Sequence, residues 1–176
     1  MATEQTGNGW FWGRWSALGL GMAVVVVLVD QVHKWWMINV YEIAEKGRVS
    51  VTSFLDLVFV LNKGISYGLF TQDSQGGQLM LAGFALVVSI VMAVWLARAG
   101  SGWLMAVSVG LIIGGAIGNA IDRVHLGGVA DFFSLHAFGV YWYVFNVADA
   151  AIVAGVVGLL YDGFIATGGA KRQIAE

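Results

Sequence analysis

The chain contains no cysteine and no proline. Without thiols there can be no disulfide, no cysteine nucleophile and no thiolate metal site. Without proline, any helix kink has to come from glycine or an inserted side chain. Charge is scarce as well: 11% of the 176 residues are charged against 59% hydrophobic, with a mean hydropathy of +0.78. That balance excludes an ordinary soluble globular domain. A formal net charge of -2 leaves no basic stripe, so no nucleic-acid partner is expected. Three histidines, His33, His125 and His136, are scattered without an HExxH-like spacing, so neither a metal nor another cofactor is expected. Chemistry is left to carboxylates, hydroxyls, amides and lysine.

What the chain has in quantity is long apolar runs. A membrane span takes about 20 mostly apolar residues, and four windows qualify, at about 16–36, 78–97, 103–121 and 143–161. The first runs past the length of a secretory signal with no small-residue cleavage pattern behind it, and is read as a retained span. Trp10, Trp12 and Trp15 before it, with Trp35 and Trp36 at its end, suit anchoring at the two headgroup layers. The expected fold class is an all-α membrane protein, one domain over 1–176 with four transmembrane helices and a small β-rich element outside the bilayer. An even number of spans puts both termini on one side.

RAGSG, residues 98–102, suits a tight hairpin between the second and third spans. The other two connections, 37–76 and 122–142, are longer and share one side. The first holds RVSVTSFLDLVFVL, with Leu55, Leu57, Phe59 and Leu61 alternating on one face, which predicts a small strand element lying on the membrane. Basic residues do not orient the chain. Arg14, Arg98, Lys171 and Arg172 fall on the side of the termini, and Lys34, Lys46, Arg48, Lys63 and Arg123 on the other.

Asp30, Asp122, Asp131 and Asp149 all fall at or just beyond the same end of the spans. A charge at a helix centre costs roughly 2.5–3.5 kcal/mol on insertion scales, so such residues face a cavity or a partner. Asn119 and Asp122 stand three apart, as do Asn146 and Asp149, and Asp30 and Lys34 stand four apart, so each pair can share a helix face. Polar glue between helices is the plain alternative for any one pair. Three pairs at one level point to a site. Gly110, Gly114 and Gly118 recur every four residues and suit either close packing inside the bundle or dimerisation; packing is favoured and a monomer is expected. GISYG, residues 64–68, matches a GxSxG nucleophile elbow, but that elbow needs an α/β-hydrolase sheet that four spans do not supply. A dyad of Ser66 with Lys63 or Lys34 would leave the aspartates unexplained.

Five segments in order carry a resemblance: DQVHK at 30–34, NKGISYG at 62–68, GGAIGNAIDR at 114–123, GGVADFF at 127–133 and FNVADA at 145–150. Together they resemble the lipoprotein signal peptidase, or signal peptidase II, family over most of the chain. The resemblance implies an aspartic endopeptidase of the bacterial cytoplasmic (inner) membrane, multi-pass, with cytosolic termini and its active site near the extracytoplasmic surface. It implies diacylglyceryl-modified prolipoproteins as substrates, cut just before the lipidated cysteine, and susceptibility to globomycin-type inhibitors. Carried over by motif, Asp131 and Asp149 are the catalytic dyad. Asp30, Lys34, Asn62, Gly64, Gly118, Asn119, Asp122, Arg123 and Asn146 support it or hold substrate. Ser66 and Tyr67 stand where the family commonly has alanine and phenylalanine, which leaves the shape of the pocket there open.

Two adjacent carboxylates do not both ionise cheaply and so share a proton. One activates water while the other protonates the leaving group, without a metal. Spacing alone leaves Asp122 with Asp149 as an equal pair, and only the family pattern ranks Asp131 first. Lys34 and Arg123 are open between holding substrate and pairing with Asp30 and Asp122. Membrane lipids are the remaining expected partner. The rival readings are a small ion- or proton-coupled transporter, disfavoured because no carboxylate lies at mid-depth, and an assembly factor without chemistry.

Overall fold

The computed structural model describes residues 11–64, 71–99 and 102–173, with side chains described as far as residue 164. Gly100 and Ser101 of the RAGSG turn, residues 65–70 including Ser66 and Tyr67, Trp10, and the side chains of Lys171 and Arg172 lie outside the described residues. The elements run α1 (Ser16–Asn39), α2 (Ile43–Lys46), β1 (Val49–Thr52), β2 (Leu55–Asn62), α3 (Gln75–Ala99), α4 (Trp103–Leu126), β3 (Val129–Ala137), β4 (Val140–Phe145) and α5 (Val147–Gln173). At 1.5 Å per residue, the 24 residues of α1 or α4 reach about 36 Å, enough to cross a hydrocarbon core of about 30 Å.

α4 is the axis of the bundle. It packs against α1, α3 and α5, and 56% of its apolar window is buried, against 28%, 17% and 11% for the windows of α1, α3 and α5. The outer faces of α3 and α5 expose Phe84, Val87, Val153 and Leu160, the surface a helix presents to lipid. On α1 the buried residues Ser16, Gly19, Ala23, Val26, Asp30, Lys34 and Met37 follow steps of three and four, one narrow stripe. That stripe meets the glycines of α4. A Cβ on Gly114 would stand 2.7 Å from the Ala23 carbonyl oxygen, and one on Gly118 would stand 2.6 Å from Asp30 Oδ2. Gly110 likewise faces the Gly19 backbone. The glycine stripe is therefore used between helices of one chain.

Both long connections contribute to one antiparallel sheet, ordered β1-β2-β3-β4. The second connection, expected as a loop, supplies half of its strands. Three expectations need correction. Leu55, Leu57, Phe59 and Leu61 do not share one face: Asp56 and Val58 are buried beside the half-buried Leu55 and Leu57, while Phe59 and Leu61 are exposed. A bulge between Leu57 and Val60 shifts the alternation by one residue, so that Leu57 lies opposite Phe133 and Val60 opposite Asp131. The fourth span starts at Val147 rather than 143, because Tyr143–Phe145 complete β4, where Phe145 pairs with Phe133. An aromatic and β-branched run of this kind suits a strand as readily as a buried helix. The connection drawn from 122 begins later too, since α4 continues to Leu126 and stops at Gly127, whose φ of 71° gives the left-handed cap.

Asp56 ties the strands on the face away from the site. It accepts from Arg48 Nη1 at 2.8 Å and lies 3.2 Å from His136 Nε2, and the Arg48 bond, first among several, holds its carboxyl below the usual range. Met37, Ile43, Ala130 and Phe132 form a small core joining the sheet to the end of α1.

Candidate active site

The charged residues expected to converge do so in two tiers. In the lower tier Lys34 Nζ meets Asp30 Oδ2 at 2.8 Å, Asp122 Oδ2 at 2.7 Å and Asn119 Oδ1 at 3.2 Å, all buried. An ammonium has three donors, and all three are used. The second oxygen of Asp30 accepts the Ala148 backbone N–H at 3.0 Å, in the first turn of α5. Asp122 Oδ2 also takes the Ala130 N–H at 3.1 Å, and Gln31 Nε2 donates to Asp122 Oδ1 at 3.0 Å and to the Gly118 carbonyl at 3.1 Å. Asp30, Lys34 and Asp122 thus lock α1, α4, β3 and α5 together. None of the bonds of Asp122 reaches Asp149.

The upper tier holds Asp131, from β3, and Asp149, from the first turn of α5. Asn146 links them: its Nδ2 donates to Asp131 Oδ1 at 2.6 Å, while its backbone N–H donates to Asp149 Oδ2 at 3.2 Å. Asn146 Oδ1 in turn accepts the Asp149 N–H at 2.9 Å. Asn146 and Asp149 therefore form a reciprocal cap on α5 rather than a pair along one helix face. Asn119 and Asp122 also turn to different partners. Asn119 Nδ2 donates to Asp149 Oδ1 at 2.8 Å, and Asn62 Nδ2 donates to Asp131 Oδ2 at 3.1 Å. Among the described residues, each of the four carboxylate oxygens accepts one N–H.

The amide orientations follow from their other bonds. Asn62 Oδ1 accepts the Gly64 N–H at 3.0 Å, and Asn119 Oδ1 accepts both Lys34 Nζ and Asn146 Nδ2. Arg123 spans Asn119 and Gly64, donating to their carbonyl oxygens at 3.1 and 3.0 Å, and its Nε has no hydrogen-bond partner among the described residues. Burial first and Asp149 second push the Asp131 carboxyl up to about 7, against the opposing pull of Asn62, Asn146 and Lys34. Its carboxyl can hold a proton near neutral pH. Asp131 and Asp149 both line cavities that open between the sheet and the helices, whereas Asp122 lines none of those described.

Two contributors had no sequence signal of their own. Gln78, fully buried in α3, donates from Nε2 to the carbonyls of Lys63 and Gln72, each at 2.6 Å, and so ties Lys63 to Gln72. Tyr143, inside the aromatic run of β4, lines three cavities of about 390, 290 and 740 Å³, and its hydroxyl accepts from Asn62 Nδ2 at 2.8 Å. Burial, then Asp131 and Asp149, push that phenol up to about 12, so it stays protonated.

The chain is similar to known proteins over most of its length. A family model described as signal peptidase (SPase) II matches residues 22–165. A lipoprotein signal peptidase of Rhodopseudomonas palustris (strain TIE-1) is 49% identical over 152 residues, 84% of this chain and 92% of its own. One of Nitrobacter hamburgensis is 48% identical over 157 residues, 87% and 95% of the two chains. A bacterial membrane enzyme solved by the in meso method at 2.3 Å superposes with a TM-score of 0.74 at 26% identity, covering 87% of this chain and 91% of that one.

Proposed function

The chain belongs to the signal peptidase II family, and from that premise we propose how its residues carry out the reaction. It is an aspartic peptidase that removes signal peptides from prolipoproteins, in a multi-pass membrane setting. The family's other properties are proposed with it: a diacylglyceryl-modified substrate cut just before the lipidated cysteine, the bacterial inner membrane with cytosolic termini, an extracytoplasmic sheet and site, and inhibition by globomycin-type peptides. The single domain and monomeric state are proposed on the same basis.

Asp131 and Asp149 are the proposed dyad, and the observation that carries it is the Asn146 bridge, which holds one oxygen of each carboxylate. With one proton between them, the ionised carboxylate takes a proton from water as the water oxygen attacks the scissile carbonyl. The protonated partner donates to the developing oxyanion and then passes its proton to the leaving amine. Asn62, Asn119 and Asn146 keep the carboxylates from turning away. Lys34, with three protein acceptors, braces the helices beneath them together with Asp30 and Asp122, and Gly118 lets α1 approach closely enough for this. Arg123 fixes the Gly64 carbonyl at the rim. A transporter is not favoured, since the carboxylates gather at one end of the spans and the family is a peptidase one.

The test is cleavage of a diacylglyceryl-modified prolipoprotein by wild type, Asp131→Asn, Asp149→Asn and Asp122→Asn, with folding followed by thermal melting. Folded but inactive variants at 131 and 149, with measurable turnover for Asp122→Asn, are the expected result. Normal turnover by Asp131→Asn would overturn the dyad.

A further inference from the structure

Tyr143 matches none of the five motif segments, yet it stands where the cavities beside the dyad meet. Its hydroxyl oxygen takes one N–H of the Asn62 amide at 2.8 Å, and the other N–H of the same nitrogen goes to Asp131 Oδ2 at 3.1 Å. The amide oxygen is held by the Gly64 N–H. Asn62 is thus tied at three corners, and the corner opposite Asp131 is Tyr143. The sheet makes this possible, because Asn62 pairs with Val129, two residues from Asp131, and β4 lies on the far side of β3.

We propose that Tyr143 is a positioning residue of the peptidase reaction, its hydroxyl holding the Asn62 amide where that amide donates to Asp131. The role rests on the assignment of Asp131 to the dyad. The charged and titratable groups facing Asp131 are Asp149 from α5, Lys34 from α1, Arg123 from α4 and Tyr143 itself from β4. Of the hydrogen-bond donors to Asp131, Asn62 has a neighbour that a single atom deletes. A donor to the carboxylate favours its ionised form, so slackening the Asn62 bond makes Asp131 keep its proton to higher pH.

The experiment is the pH dependence of kcat and KM for Tyr143→Phe, Asn62→Ala and the double variant on a diacylglyceryl-modified prolipoprotein. Phenylalanine keeps the ring that walls the cavities and removes only the hydroxyl. Tyr143→Phe is expected to lower kcat about 3- to 10-fold, the worth of one buried hydrogen bond, to leave KM within about twofold, and to move the alkaline limb of the profile upward. The double variant is expected to match Asn62→Ala, because the hydroxyl acts through that amide. Unchanged kcat and an unmoved alkaline limb in a Tyr143→Phe enzyme that melts like wild type would overturn the role, as would effects that simply multiply. Asp131→Asn in the same series separates the two ideas. If it is inactive while Tyr143→Phe is silent, only the role of Tyr143 falls; if it turns over normally, the dyad falls and this role with it.

Discussion

Protonation of Asp131 has a consequence for stability that does not depend on any substrate. Its carboxyl titrates at about 7 in the folded protein, against roughly 3.9 in an unfolded chain. Between those values the native state holds a proton that the unfolded chain has released, so the folding free energy weakens as pH rises through the window. A difference of about 3 pH units at about 1.4 kcal/mol each puts the whole cost near 4 kcal/mol above pH 8, with about 2.5 kcal/mol of it arising between pH 5 and 8. Asp131→Asn removes the titration. It also removes an acceptor: Asn62 and Asn146 both donate to residue 131, and an amide there offers one oxygen. A pH-independent loss of about 1–3 kcal/mol is therefore expected as well. The diagnostic quantity is the slope. In equilibrium unfolding of the detergent-solubilised proteins at pH 5, 6, 7 and 8, the gap between the variant and wild type should move by about 2.5 kcal/mol in favour of the variant. Asp149→Asn should reduce the same slope in wild-type residue 131, since Asp149 is the second cause of the shift. Parallel curves for Asp131→Asn and wild type would refute a shared proton at this site.

Three further outcomes follow from individual contacts. Lys34→Met leaves Asp30 and Asp122 buried without their common cation, and should destabilise the fold by about 3–5 kcal/mol, read from unfolding in detergent; wild-type stability would show that the lysine is not what holds those carboxylates. Gly118→Ala places a methyl 2.6 Å from Asp30 Oδ2, so the Asp30 carboxylate must shift on Lys34 and Ala148 or α1 must move off α4, at about 1–3 kcal/mol and with loss of turnover, whereas an unaltered kcat would mean that the seating of Asp30 does not matter to the dyad. Gln78→Leu deletes the bonds to the Lys63 and Gln72 carbonyls, and limited trypsin digestion should then cut after Lys63 faster than in wild type; an equal rate would argue that Gln78 does not hold Lys63 in place.

The four spans were legible because apolar length is a local property of the chain, and so were the aspartates, because a charge in an apolar run is conspicuous. What was not legible depended on contacts distant in sequence. β2 finds its partner about 70 residues further on, in a segment whose own pattern, GGVADFFSLHA, had no clean alternation to announce a strand. The bulge that turns Val60 and Asn62 towards Asp131 changes the phase by one residue, and the face read from Leu55 to Leu61 is wrong for that reason. The start of α5 was misplaced because Tyr143–Phe145 are as apolar as a span, and only pairing with Phe133 makes them strand. Asn146, seen as one member of a helix-face pair, is the residue that ends the strand and caps the helix.

That placement of Asn146 explains why the site stands at a junction rather than inside the bundle. A carboxylate within α5 proper would have its neighbours' N–H groups consumed by the helix, whereas at the third position of the first turn Asp149 can accept a backbone N–H and lies by the positive end of the helix dipole. Asp131 has no such end beside it. It comes from a strand, is buried, and accepts only side-chain amides among the described bonds, so its hydrogen-bonding surroundings differ from those of Asp149. Strand β3 and the start of α5, bridged by the hydrogen bonds of Asn146, supply two unlike settings for the two carboxylates. A pair of identical side chains needs that asymmetry if one is to act as base while the other acts as acid.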